Sequence, residues 1–503
     1  MSSRSIAVRL FWSCWLLYTL HFATNIVRDL YLAVAIGDHS SFRVDEYAGM
    51  HPDLFEHPGH GWHTGGNPGS SMIAAIPYAA ARPAISAVAR RVNESRKASG
   101  RSEPPAYASP WPMAREMYGE AWRRGLDVKL GLAAFAAQAG AMAPISAAGV
   151  ALMFLFLERT VGNRRAAFVL ALLYGFATPV FFRTGTLNHN VMAAQLGFGA
   201  FCALGSLGRR RDALAGALAG TCVLLDYSGV FVAAPLGMLC LWQADRDGAS
   251  PLAAGVKFAG AAVGPVLLLW WYQWCSFGHP FYPGQHWMPK LGWIEETGFR
   301  GLNLPQWRWA WRLWLDPAYG LLPSCPLFVA ALWPGPAWRA LGAARTLCLY
   351  GVTGGLWLFL SGLDYNAIQD NTGIRYMAPA FPFLFVAAAF ALGRMPRAAA
   401  VGLAGASLLV NWCLAMFRDV ERGRGVLDPL LDLFADGPAL PALTTLARIE
   451  GPWAGLAGSP WTALALYAVV GGVVWAIWRP MRGSCKQNCN QAQSFGIEHV
   501  DNE

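Results

Sequence analysis

The residues best suited to chemistry are concentrated between Ser41 and Ser70, in the stretch S-F-R-V-D-E-Y-A-G-M-H-P-D-L-F-E-H-P-G-H-G-W-H-T-G-G-N-P-G-S. Five of the ten histidines, His39, His51, His57, His60 and His63, lie in or beside it, and Asp45-Glu46 falls near its start. A carboxylate there can take the proton of an incoming hydroxyl while its neighbour orients the nucleophile or holds a cation. An Asp-Glu pair is equally what a plain solvated turn carries. His60 and His63 would share a divalent metal on one helix face, with Asp53 or Glu56 completing the shell. G-H-G-W-H is too rich in glycine for that helix and matches no zinc spacing. His51, His57, His60 and His63 are therefore weak metal candidates, better suited to hydrogen-bonding sugar hydroxyls or a phosphate. N-P-G-S (67–70) reads as a turn entering a helix, whose free N–H groups would accept a phosphate or simply be capped.

These groups sit in a chain built for a bilayer. Of 503 residues, 55% are hydrophobic and 14% charged, with 23 Trp and a mean hydropathy of +0.33. Soluble domains carry about 25% charged residues. A net charge of +9 would suit nucleic acid, but the basic residues fall in short clusters between apolar runs, which excludes a nucleic-acid face. The ten cysteines show no metal spacing, and Cys275 and Cys325 flank one loop as a possible disulfide. The sequence predicts an all-α polytopic membrane protein with about twelve spans: 10–36, 129–157, 166–182, 191–207, 213–225, 230–242, 253–274, 317–333, 346–362, 376–392, 398–417 and 461–478. The fifth and sixth are short and read as a hairpin or as one broken helix around Asp226-Tyr227-Ser228, and two spans are preferred because they keep the later basic loops on one side. Residues 1–482 make one multi-span domain, and the polar tail 483–503 reads as disordered.

The basic loops 158–165, 208–211, 339–345, 393–397 and 479–482 orient the chain, placing both termini in the cytoplasm. A large first outer loop, 37–128, then contains an apolar segment, 72–89, expected to lie on the membrane surface as an interfacial helix. On this topology eight of the ten histidines face outward, all but His21 and His499. The outer turns carry Asn188-His189-Asn190, Asp226, the loop with Tyr282 and His286, and Arg375 beside Tyr376. Asn188 and His189 suit a helix cap or a cavity wall. Asp226, an acid between two apolar runs, is either a site residue or an exposed turn. Arg375 is placed to clamp a phosphate in two-pronged fashion, or to anchor in lipid headgroups.

The order of these features resembles the GT-C superfamily of polyprenyl-phosphate-sugar-dependent glycosyltransferases, in particular the bacterial protein O-mannosyltransferases and aminoarabinose transferases. The resemblance is carried by Asp45-Glu46 in the first outer loop, G-G-N-P-G-S before a short helix with P-Y, L-N-H-N (187–190), F-G-H-P-F-Y-P-G (277–284), D-P-A-Y-G-L-L-P-S-C-P-L (316–327) and G-I-R-Y-M-A-P-A-F-P-F (373–383). It implies Asp45 as catalytic base with Glu46 beside it, Arg375 on the donor phosphate, and Asn188 and His189 lining the cavity. Many relatives have a lysine where this chain has Gly66, so the donor or other substrate would fall to Arg375, His63 or His286, with Asn67, Asp226 and Tyr282 nearby. The function expected is transfer of a sugar from a polyprenyl-phosphate donor to a hydroxyl acceptor on a lipid, glycan or protein. The transfer would invert the sugar and occur on the periplasmic or extracellular face of the cell membrane. No cofactor is demanded, and a divalent metal stays open. The rival reading is a transporter or flippase of lipid-linked sugars, which would show repeats and midplane charges that this sequence lacks.

Overall fold

The architecture turns on a helix break inside the first apolar stretch. In the computed structural model, which describes residues 2–479 except 25, 207, 209, 291–295, 370–373 and 418–424, residues 10–36 do not form one span. They form α1 (Ser3–Leu20) and α2 (Arg28–His39), separated at His21–Val27. The run Thr24-Asn25-Ile26-Val27 explains the break, because β-branched residues and Asn are poor helix formers. The Tyr18 carbonyl freed there still finds a donor: the Gln138 amide donates to it at 2.9 Å, and also to Thr184 O at 3.0 Å. The Ala23 N–H in turn donates to Gly185 O at 2.8 Å. In an apolar setting this satisfaction is what permits a broken helix.

The first loop follows α2. A hairpin of β1 (Leu54–His57) and β2 (Gly61–Thr64) pairs antiparallel, with Phe55 opposite His63. Next comes α3 (Gly69–Ala98), a continuous helix of 30 residues that is longer than the expected 72–89. Its Pro77 packs on Gly140, and Arg96 makes a two-pronged pair with Asp127 at 2.8 and 2.7 Å. It therefore runs along the first half of α4 (Asp127–Val161, 35 residues). At 1.5 Å per residue α4 is about 52 Å long, well beyond the ~30 Å hydrocarbon core.

The helices of twelve or more residues that follow α4 are α5 (Arg164–Phe176), α6 (His189–Leu204), α7 (Arg211–Leu225), α8 (Val230–Arg246), α9 (Pro251–Phe277), α10 (Ala343–Ser361), α11 (Phe381–Leu392), α12 (Arg397–Met416) and α13 (Pro460–Trp478). α7 and α8 form the expected hairpin, closed at its base by Arg211 and Asp247 at 2.7 Å. α7 lies directly on α9. A Cβ on Gly216 would come within 2.0 Å of Phe258 O, and one on Gly220 within 2.4 Å of Ala262 O, so G-x-x-x-G brings the two backbones together. The stretch 317–333 is not a span. Pro317, Pro323 and Pro326 reduce it to a turn of helix at Leu321–Ser324 and a 3₁₀ segment at Pro326–Leu332.

Among the described residues seven helices are long and apolar enough to cross a membrane: Gly69–Ala98, Asp127–Val161, Tyr227–Arg246, Pro251–Phe277, Ala343–Ser361, Arg397–Met416 and Pro460–Trp478. Six coincide with expected spans, and the protein is a multi-pass membrane protein. At one end of the bundle Ser3 meets Glu158 at 2.9 Å, Trp478 donates to Ser13 at 2.9 Å, and Gly205 abuts Arg345. The N-terminal helix, the last helix and the basic turns at 158–164 and 345 thus share an end. Cys275 and Cys325 are both free, one exposed and one buried. The tail 483–503 lies outside the described residues.

Candidate functional site

At the opposite end, three chain breaks deliver three ionisable groups to one point. Asp29 stands at the first turn of α2, His189 at the first residue of α6, and Asp226 at the C-terminus of α7. Asn188 fixes the imidazole from behind, because its Oδ1 accepts from Val191 N at 3.1 Å and caps α6. Asp226 is held in an extended conformation, φ −159° and ψ 143°, with Oδ1 accepting from Ser228 N at 2.8 Å. That leaves its other oxygen for His189. Asp29 Oδ2 lies 3.5 Å from His189 Nδ1, and Asp226 Oδ2 lies 3.6 Å from Nε2. One imidazole therefore bridges two carboxylates, at ion-pair distance rather than in tight hydrogen bonds.

Arg28 completes the group. Its Nη1 lies 3.2 Å from Asp53 Oδ2, and Asp29, Asp226 and Tyr376 are all within its electrostatic reach. The guanidinium lies over Gly66, where a Cβ would come within 2.8 Å of Nε. The missing side chain at Gly66 thus leaves the space that the arginine occupies. Burial opposes the charge on Arg28, but Asp53 and Asp29 outweigh it and hold the group protonated. Burial likewise pushes Asp29 up, yet the hydrogen bond and charge of His189, with Arg28 beside it, bring it down to about 2. Asp29 is a carboxylate at any physiological pH, although its side chain is only 6% exposed. The Ser70 hydroxyl, at the start of α3 and fully buried, also faces the Asp29 carboxylate and helps lower its pKa, and Ser71 Oγ donates to Asp29 O at 2.7 Å.

The other expected residues divide. Asn67 is close by but structural, its Nδ2 donating to Val223 O at 2.9 Å and tying the 65–70 turn to α7. Arg375 stacks on Tyr376 at 4.7 Å and donates to its hydroxyl at 2.8 Å, so the arginine reaches the cluster's edge through the tyrosine. Asp45 and Glu46 stand apart. Asp45 pairs with Arg43 at 2.7 Å and accepts from Trp62 N at 2.8 Å, with its side chain 45% exposed. Glu46 meets Lys129 at 3.1 Å, as does Asp38 at 3.0 Å. Asp38 is nine residues along α2 from Asp29, about 13 Å and half a turn round the helix. Tyr282 and His286 stack on each other at 4.6 Å, continuing to His279 on one side and Trp287 on the other. That aromatic run packs against the hairpin at Gly65 and His57.

The four histidines offered as metal ligands are dispersed. His63 is locked in the hairpin, its two nitrogens 3.2 Å from Phe42 O and 3.1 Å from His60 O. His57 stacks on His60 at 5.0 Å, and His51 Nδ1 accepts from Asp53 N at 3.0 Å. Among the described residues the group of three ligands close enough to share a cation is Asp38, His39 and Glu46, and the Lys129 ammonium already sits between its two carboxylates. The residues of this cluster that the sequence does not single out are Arg28 and Asp29, with Asp53 read there only as a metal ligand. An adjacent Arg-Asp pair inside an apparent span, preceded by a β-branched run, was the available signal.

No family model matches the sequence, and no curated protein matches it. A search of solved structures finds the chain similar to the apo crystal structure of ArnT from Cupriavidus metallidurans, at 12% identity and a TM-score of 0.48, covering 95% of this chain and 76% of that one.

Proposed function

We propose that the protein is a membrane glycosyltransferase acting on a polyprenyl-phosphate sugar, with Asp29 rather than Asp45 or Glu46 as the group that receives the acceptor hydroxyl. The observation that carries this reading is a buried carboxylate, held ionised, bridged through His189 to Asp226 and flanked by Arg28. The acceptor oxygen bonds to the anomeric carbon as the bond from that carbon to the phosphate oxygen breaks. The electron pair leaves with the lipid phosphate, the hydroxyl proton passes to Asp29, and the configuration inverts. A carboxylate of low pKa is a weak resting place for a proton, so it serves late, when the forming bond has made the hydroxyl acidic. Arg28, with Arg375 at the edge, supplies the positive charge that the departing phosphate needs. His189 is the positioning residue that fixes Asp29. In this reading the cluster lies on the outer face.

The test is Asp29→Asn in vesicles supplied with polyprenyl-phosphate sugar and a hydroxyl acceptor. Turnover should fall by about 10²–10⁴ at unchanged protein level and melting temperature. Transfer retained within a few-fold would sink the assignment. Translocation of the sugar lipid without transfer, in the unaltered protein, would favour a flippase.

A further inference from the structure

A cavity of about 870 Å³ opens between the C-terminal end of α2, the outer half of α3 and the start of α4. It lies on the side of α2 away from Asp29, so the reaction proposed above does not use it. Its two walls carry opposite charge. One is built from Asp38, His39 and Glu46, whose ligand atoms lie within 4.8 Å of one another. Lys129 reaches both carboxylates, at 3.0 and 3.1 Å, and one ammonium against two carboxylates leaves a net negative charge. The facing wall is α3, where Arg90 and Lys97, seven residues apart and hence on one helix face, line the cavity with Glu94. Arg90 and Lys97 form no ion pair with any described residue, although Arg96 next to them is bound to Asp127. Two cations against one carboxylate leave this wall positive. Asn93, held by its Nδ2 to Gly125 O at 2.8 Å, closes the floor.

The level of the cavity narrows the ligand. Lys129 lies 29 residues before Glu158 on the continuous helix α4, about 43 Å along its axis. A bilayer with its headgroups is about 40–45 Å thick. With Glu158 at one surface, the cavity lies at the headgroup level of the other.

We infer that this cavity binds an aminophosphate, a phosphate ester carrying a primary amine. The ammonium would be taken by Glu46 and Asp38, and the phosphate by Arg90 and Lys97. A zwitterion matches both the separation of charge between the walls and their balance. An anionic headgroup would face the carboxylates unpaired, and a quaternary amine would offer them no N–H donor. The chemistry is that of an ethanolamine lipid headgroup or of free phosphoethanolamine.

Native mass spectrometry of the full-length protein, with phosphatidylethanolamine, phosphatidylglycerol and phosphatidylcholine added in turn, tests this. Phosphatidylethanolamine should be retained about tenfold more tightly than the other two, the worth of one charge-assisted hydrogen bond. Glu46→Gln should abolish that preference, and Arg90→Gln should weaken retention of phosphatidylethanolamine. Both side chains are exposed and stand apart from the Asp29 cluster, so an unchanged melting temperature is expected and is measured alongside. Displacement by soluble phosphoethanolamine would identify the free headgroup as a sufficient ligand. Resistance to displacement would identify the membrane lipid. Equal retention of all three lipids, or unchanged retention in both variants, overturns the inference.

Discussion

His189 does most of the work of fixing Asp29, and its removal should show in how the site responds to acid. Burial alone would raise the Asp29 carboxyl, and the imidazole reverses that. In His189→Leu, Asp29 should titrate at a higher pH, so the acid limb of the rate profile moves upward while the melting temperature changes little. An unmoved limb would separate His189 from Asp29. A different pair contributes to the pH dependence of stability. His51 and His63 are both lowered by burial, so the unfolded chain binds more protons than the folded one as pH falls below about 6.5. Their stabilising effect is complete above that pH and is lost as pH falls through their lower folded values. Melting temperatures at pH 7.5 and 5.0 should differ less in His63→Gln than in the parent. Residue types alone made His189, Asp226 and Arg375 legible, because acids, amides and imidazoles at the ends of apolar runs are conspicuous. Asp29 was not, since a 20-residue hydropathy window averages one acid into its apolar surroundings.

At the scale of elements, the site depends on helix ends held at fixed distances. α7 carries Asp226, and its height is set by the contact with α9. In Gly216→Ala the new Cβ would meet Phe258 O at 2.0 Å, a backbone atom that cannot rotate away. That overpacking should destabilise by about 1–3 kcal/mol and reduce transfer together with it. Gly264→Ala on α9, with nothing within 4 Å of its Cβ, is the matched control and should leave the melting temperature level or higher. Removing the Asn188 cap with Asn188→Ala should cost about 1 kcal/mol, with a further loss of activity as His189 loosens. The apolar pattern anticipated most of these helices, and the placement of the basic loops favoured two for 213–242. It failed at 317–333, where three prolines in 17 residues outweigh apolarity, and at 21–27, where local propensity breaks a run that hydropathy joins. Composition reports whether a segment is apolar, whereas backbone preferences decide whether it stays helical.

For the whole molecule, the decisive property is which way the two ends face. The turns bearing Arg159, Arg164 and Arg345 gather at the end where α1 begins and α13 finishes, which the positive-inside tendency assigns to the cytoplasm. On the proposed orientation the Asp29 cluster faces outward, where the proposed lipid-linked donor would meet an acceptor beyond the membrane. Ser102 is exposed in the segment after α3, and Cys485 and Cys489 follow α13 in sequence. With Cys275, the exposed thiol among the described residues, replaced by serine, a membrane-impermeant maleimide applied to intact cells should label Ser102→Cys and leave Cys485 and Cys489 untouched until the membrane is opened. The reverse pattern would turn the site toward the cytoplasm. A hydroxyl there would have to attack a donor presented on the inner leaflet, and the basic turns would stand outside against their usual bias. Such a result would leave the geometry of Asp29, His189 and Asp226 intact while overturning the side on which the reaction runs. Labelling and the Asp29→Asn assay therefore test independent parts of the proposal.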